Sequence, residues 1–160
     1  MTIPIKAFVL SISDTRTIEN DVSGDTLAEL LLSFGAEVVG KRIVADDLED
    51  IRNTLHVLTE RDDVNLILTT GGTGFAPRDN TPEATRGVID REAPGIAEAI
   101  RRGTFSKTPM AMLSRGIAGI RNQTLIINLP GSPKGVTECL EVVRPVLQHA
   151  IDQICGQTKH

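Results

Sequence analysis

The chain has 160 residues, a single-domain length, and at that size about 70% of the unfolded surface can be buried in one core. A formal charge of -4 argues against broad nucleic-acid binding, so an anionic ligand has to be held by local donors or metal rather than by a basic face. With no Trp, no Tyr and four Phe, ring stacking is not a main recognition device, and backbone polar groups and aliphatic walls take its place.

Residues 5–12, IKAFVLSI, read as the first strand, ended by Ser13, Asp14, Thr15 and Arg16. Two hydroxyls, a carboxylate and a guanidinium arrive together there, and a polar Asx-type turn explains them as well as a ligand loop does. Residues 17–22 are polar and expected to be mobile. Ser23 is the expected cap of a helix running to Phe34, because Leu27, Leu30, Leu31 and Phe34 recur at helical spacing, and Gly35 closes it. Residues 36–44 read as the second strand, followed by Asp46 and Asp47. Asp47 is the expected N-cap of a helix over residues 48–59.

The run Leu66, Ile67, Leu68, Thr69, Thr70 suits a parallel strand covered on both faces. Gly71, Gly72, Thr73 and Gly74 stop it. Three glycines in four positions allow positive φ and a close approach of ligand to backbone N–H groups, which makes a concave anion nest at the carboxyl end of the strand. The spacing is neither GxGxxG nor GxxxxGK[ST], so the dinucleotide and P-loop readings fail; a plain tight turn stays open. Asp79 follows in a loop, with Thr81 the expected N-cap and Pro82 the first helical residue of the next helix. Asp79 is therefore not needed as the cap. A glycine nest and a carboxylate this close suit a phosphorylated ligand bridged by Mg²⁺.

Helices are expected over residues 83–90 and 96–102, broken by residues 92–95 and stopped by Gly103, with a turn over residues 110–114 in which Met110 and Met112 fill core. Ser114 and Arg115, a hydroxyl next to a guanidinium, suit contact with a phosphate or a polar ring. Residues 117–120 and 124–129 read as a hairpin turning at residues 121–123. Pro130 and Gly131 lead into Ser132 as N-cap and Pro133 as first helical residue. The closing helix, residues 136–154, is expected to kink at Pro145 or split after Val143, and residues 157–160 to fray. Cys139 and Cys155 lie in helical pattern with no CxxC or nearby paired His, which predicts buried or half-buried thiols rather than a metal site. His56, His149 and His160 lie on helices or at the chain end and offer no catalytic nucleophile site. No apolar run approaches the ~20 residues of a membrane span, and the first residues lack a signal peptide's charged region and cleavage site, so a cytoplasmic protein with no membrane partner is expected.

SISDT (residues 11–15), GGTGFAPRDNTPEAT (71–85), IDREAPG (89–95), MLSRGIAGIR (112–121) and TLIINLPGSPKG (124–135) together resemble the Mog/MoaB family of molybdenum cofactor biosynthesis. The closest likeness is to its adenylyltransferase members, including the G domains of gephyrin and its plant counterpart. The resemblance implies an α/β fold in three layers, with a mostly parallel sheet, helices on both faces and the antiparallel hairpin. It implies one molybdopterin-binding, adenylyltransferase domain over residues 1–160, assembled as a homotrimer and meeting other molybdenum cofactor proteins. The implied reaction moves AMP from Mg-ATP to the phosphate of molybdopterin. Residue by residue, it makes Asp46 and Asp79 the catalytic and Mg²⁺-binding carboxylates, and Gly71, Gly72, Thr73, Gly74, Pro130 and Gly131 the nucleotide site. Ser13, Asp14, Thr70, Ser114 and Arg115 fall on the pterin side. A non-catalytic molybdopterin-binding or assembly protein of the MoaB type is the alternative.

Overall fold

The computed structural model describes residues 2–157. Six strands form one mixed sheet in the order β2-β1-β3-β6-β5-β4. Strands β1 (Lys6–Ile12), β2 (Glu37–Val44), β3 (Leu66–Thr70) and β6 (Thr124–Leu129) run parallel. Strand β5 (Ala118–Arg121) returns antiparallel to β6, and the two-residue β4 (Arg91–Glu92) pairs antiparallel with β5. The three central parallel strands are apolar on both faces, as strands covered twice must be. Ala7, Val9, Leu66, Leu68, Leu125, Ile127 and Leu129 point into one core, while Phe8, Leu10, Ile12, Ile67 and Ile126 point into the other.

The first core is closed by α1 (Val22–Ser33), α4 (Pro94–Phe105) and α5 (Pro133–Ile154), the second by α2 (Leu48–Thr59) and α3 (Thr81–Arg86). This is the expected three-layer arrangement. The expected cap of α2 is also found, Asp47 accepting from the Asp50 N–H at 3.0 Å, as is that of α5, Ser132 Oγ accepting from the Gly135 N–H at 3.0 Å.

Other helix ends differ from the sequence reading, each for a physical reason. Asp21, not Ser23, caps α1: its buried carboxylate accepts from the Gly24 N–H and from the Ser11 hydroxyl at 2.6 Å. Thr81 is the first residue of α3 rather than its cap, and its hydroxyl donates instead to the Gly71 carbonyl at 2.9 Å. Helix α3 ends at Arg86, four residues early, because the chain turns at Gly87 to place Asp90 and β4 against β5, where the Asp90 N–H donates to the Ile120 carbonyl. Gly103 does not stop α4. It lies inside the helix, where a Cβ would stand 2.7 Å from Val142 of α5, so the missing side chain lets the two helices approach. A 3-10 turn, Pro109–Leu113, follows, on which Met110 and Met112 are exposed rather than core. The hairpin turns at Asn122 and Gln123 alone, with Asn122 at a φ of 52°. Helix α5 continues unbroken through Pro145. Of the expected frayed end, residues 158–160, with His160, lie outside the described residues.

Candidate active site

Parallel strands bring the ends of β1, β2, β3 and β6 to one edge of the sheet, where ligands bind in open α/β folds. Because β5 is antiparallel, its beginning, with Ser114 and Arg115 just before it, arrives at the same edge. Every sequence-predicted site residue therefore lies on one rim, and the hydrogen bonds define what each does there.

The glycine loop is fixed from below. Gly71 and Gly72 adopt φ values of 104° and 69°, the left-handed region that side-chain-bearing residues avoid. Space is short as well: a Cβ on Gly72 would stand 2.3 Å from Thr81 Oγ1. Beneath runs a buried polar ladder that sequence reasoning missed. Asn128 Nδ2 donates to Thr85 Oγ1 at 2.9 Å and to Thr69 Oγ1 at 3.1 Å, Thr85 donates to the Thr81 carbonyl at 2.8 Å, and Thr81 reaches Gly71. Asn128 Oδ1 also accepts from the Ile117 N–H, which ties the rear of the Ser114–Arg115 segment to the same support.

Arg115 clamps the loop from the side. Its N–H donates to the Thr73 carbonyl, its Nε to the Gly74 carbonyl and its Nη2 to the Asp79 carbonyl, each at 2.8 Å, while Nη1 pairs with Glu83. That guanidinium holds the Glu83 carboxyl below the usual carboxylate range. Asp79 Oδ2 accepts from the Ala76 N–H at 2.9 Å and lies 2.9 Å from where a Cβ on Gly74 would stand. Asp46 Oδ1 lies 3.3 Å from the corresponding point on Gly72. Both carboxylates thus face the glycine loop.

The loop after β1 closes the other side. Ser13 Oγ accepts from the Thr15 and Arg16 N–H groups, a turn-forming use of its side chain. Asp14 and Asp46 are joined in both directions, the Asp14 N–H donating to Asp46 Oδ2 at 2.9 Å and the Asp46 N–H to Asp14 Oδ1 at 3.0 Å. Burial pushes the Asp46 carboxyl up, and the negative charges of Asp14 and Asp79 push the same way. The Arg78 guanidinium, forked onto Asp14, holds the Asp14 carboxyl down. Thr70 Oγ1 donates to the Pro130 carbonyl at 2.7 Å, and Ser23 Oγ and Arg16 Nη2 both donate to the Gly131 carbonyl. Ser114, Pro130, Ser132 and Lys134 line a cavity of about 320 Å³ between α4, the 3-10 turn and the first turn of α5.

Among the described residues, no group of three or more His, Cys, Asp and Glu side chains is gathered as a self-sufficient metal cage. Two carboxylates beside a glycine loop nevertheless fit Mg²⁺, which usually takes one or two protein carboxylates and completes its shell with water and ligand phosphates. Asp46 is raised by burial and by the charges of Asp14 and Asp79, which a bound cation would offset. Cys139 is buried with its thiol pushed up to about 12 by burial, and Cys155 is raised by the same cause, in keeping with inert thiols.

The model of a probable molybdopterin binding domain matches residues 8–149, which includes every loop of this rim. The chain belongs to the Mog/MoaB family. Within the family it is 42% identical over 152 residues to the molybdopterin adenylyltransferase of Helicobacter pylori strain J99, covering 92% of this chain and 86% of that protein. It is 45% identical over 150 residues to the molybdenum cofactor synthesis protein cinnamon of Drosophila melanogaster, covering 91% of this chain but only 25% of that longer protein. The Mog structure from Mycobacterium ulcerans superposes with a TM-score of 0.89 at 43% identity, over 98% of this chain and the whole of that one.

Proposed function

We propose that this Mog/MoaB chain is a molybdopterin adenylyltransferase, a single domain that works in the cytoplasm as a homotrimer with Mg²⁺, ATP and molybdopterin. The observation that carries the reading is that Asp46 and Asp79 both border the glycine loop, the first beside Gly72 and the second beside Gly74, in a chain whose similar relatives include one of that name. A binding module alone has no need of two carboxylates beside a phosphate nest, since they repel the anion it would hold.

The reaction is an in-line displacement. An oxygen of the pterin phosphate forms a bond to the α-phosphorus of ATP, the bridging bond from α-phosphorus to oxygen breaks, and pyrophosphate leaves with that electron pair. The protein supplies position and charge rather than a covalent nucleophile. The N–H groups of residues 72–74 hold the nucleotide phosphates, that of Gly71 being bound to the Leu129 carbonyl, with Thr81 and Arg115 keeping the loop shaped before ligand arrives. Pro130 and Gly131 form the wall on the nucleotide side, fixed by Thr70, Ser23 and Arg16. Asp46 and Asp79 would hold Mg²⁺, which neutralises charge developing on the leaving pyrophosphate. Ser13, Asp14 and Ser114 orient the pterin. Arg115 shares that side through its neighbour Ser114, while its own donors hold the loop.

The test is pyrophosphate release from Mg-ATP by the purified protein, with and without molybdopterin. Release that requires the pterin is expected. Release without it, or pterin binding with no release at all, would sink the assignment, the second outcome pointing to the non-catalytic binding role.

A further inference from the structure

Arg78 stands one residue before Asp79, and its guanidinium crosses the rim to the loop after β1. There Nε donates to Asp14 Oδ2 at 2.6 Å and Nη2 to Asp14 Oδ1 at 2.9 Å. Asp14 is itself bound to Asp46 through the paired backbone contacts already described. One positive charge therefore lies over two coupled carboxylates, with Asp47 also within its electrostatic reach. The pair is open to water, the Arg78 side chain being 60% exposed and that of Asp14 36%, and an ion pair so exposed is held weakly. A guanidinium fork also matches phosphate as well as it matches carboxylate. Among the described residues the Arg78 side chain has no other hydrogen-bond partner, in contrast to Arg115, whose donors go to the Gly74 and Asp79 carbonyls and to Glu83 of α3.

We propose that Arg78 is the resident counter-cation of Asp14 and its neighbour Asp46 and exchanges partners on ligand binding, its guanidinium passing from Asp14 to the phosphates of the nucleotide while a divalent cation held by Asp46 and Asp79 takes over the neutralisation of this acidic edge. The proposal rests on the reading of the rim as a Mg-nucleotide site. It makes cation and anion binding interdependent: a divalent cation alone has to bind against the charge of Arg78, and a polyphosphate alone has to draw Arg78 away from Asp14. Arriving together, they satisfy both. A purely structural strap between two loops predicts the opposite pattern, because its removal loosens the site for every ligand.

The experiment uses Mn²⁺ as the cation probe, followed by the loss of its free-ion electron paramagnetic resonance signal, and inorganic tripolyphosphate as the anion probe, followed by calorimetry without metal. Arg78→Gln is expected to bind Mn²⁺ roughly two- to fivefold tighter than wild type, the range that loss of one exposed ion pair gives, and to bind tripolyphosphate more weakly. Arg78→Lys, which keeps the charge, is expected to leave Mn²⁺ affinity near wild type. Adding Asp46→Asn to Arg78→Gln is expected to abolish the gain. Mn²⁺ binding by Arg78→Gln that is equal to or weaker than wild type, with thermal unfolding unchanged, would overturn the exchange. If wild type then still binds Mn²⁺ with a non-hydrolysable ATP analogue, the Mg-nucleotide reading survives and only the role of Arg78 fails. Absence of Mn²⁺ binding in every variant, with and without the analogue, would overturn both.

Discussion

Asp79 carries two tasks that a substitution can separate. Its Oδ2 accepts the Ala76 N–H and so shapes the turn, while its charge faces the glycine loop. An asparagine in its place keeps an acceptor oxygen for that N–H but removes the negative charge. Asp79→Asn is therefore expected to fold normally and bind molybdopterin within about twofold of wild type, yet to release pyrophosphate roughly tenfold or more slowly, as loss of the proposed Mg²⁺-holding charge implies. Stopped-time pyrophosphate assays beside a pterin titration measure the two effects. An unchanged rate would leave Asp79 only its turn. At this scale the sequence displays the glycines, whose dihedral demand is intrinsic, and the carboxylates that follow them. It hides the partners: Arg16 meets Gly131 across 115 positions and Arg78 meets Asp14 across 64, and no local rule reaches that far. Arg115 is the instructive case, since an arginine beside a serine suggests ligand contact, whereas its donors reach the carbonyls of Gly74 and Asp79 within the protein.

Helix α5 tests how far a propensity rule extends. Proline removes a hydrogen bond and crowds the carbonyl four residues earlier, a cost of ~3 kcal/mol inside a helix, but Pro145 is on the exposed side, where the freed carbonyl of Glu141 can turn to water. Burial of Val136, Leu140, Val143, Leu147 and Ile151 on the other side spans both halves and carries the helix through. Pro145→Ala is expected to stabilise the protein by about 1–2 kcal/mol, the helix gain being reduced by the looser unfolded chain, and to raise the midpoint of thermal unfolding by calorimetry; a lower midpoint would mean that the proline fits a bend the core requires. Elements whose ends depend on three-residue contacts were legible, as with Asp47 and Ser132. Those decided by distant packing were not. Asp21 and Ser23 both satisfy a capping rule, and the contact with Ser11 holds Asp21 in the capping position, while Gly103 sits inside α4 against Val142 of another helix. Strand β4 is two charged residues with no pattern of its own, defined by pairing with β5 alone.

For the whole molecule, the apolar run of β3 announces a parallel strand covered on both faces, while the three-layer arrangement as a whole is an expectation from the family resemblance. The assembly has the same source, the expectation of a trimer coming from the resemblance and not from an isolated apolar stripe. Light scattering at micromolar concentration is expected to give three times the 17.2 kDa chain mass; a monomer mass would count against it. The order of the sheet bears on how copies can meet. Its outermost strands are β2 and β4, the first carrying Glu37, Lys41 and Arg42 exposed and an irregular register against β1, the second ending after Arg91 and Glu92. Charges, a break in register and extreme shortness each deter a strand from recruiting another chain's backbone. Continuation of the sheet from one protomer into the next is thus disfavoured at both ends, and the surfaces left for self-recognition are helices and loops, which can mate and separate without exposing a template for fibre growth.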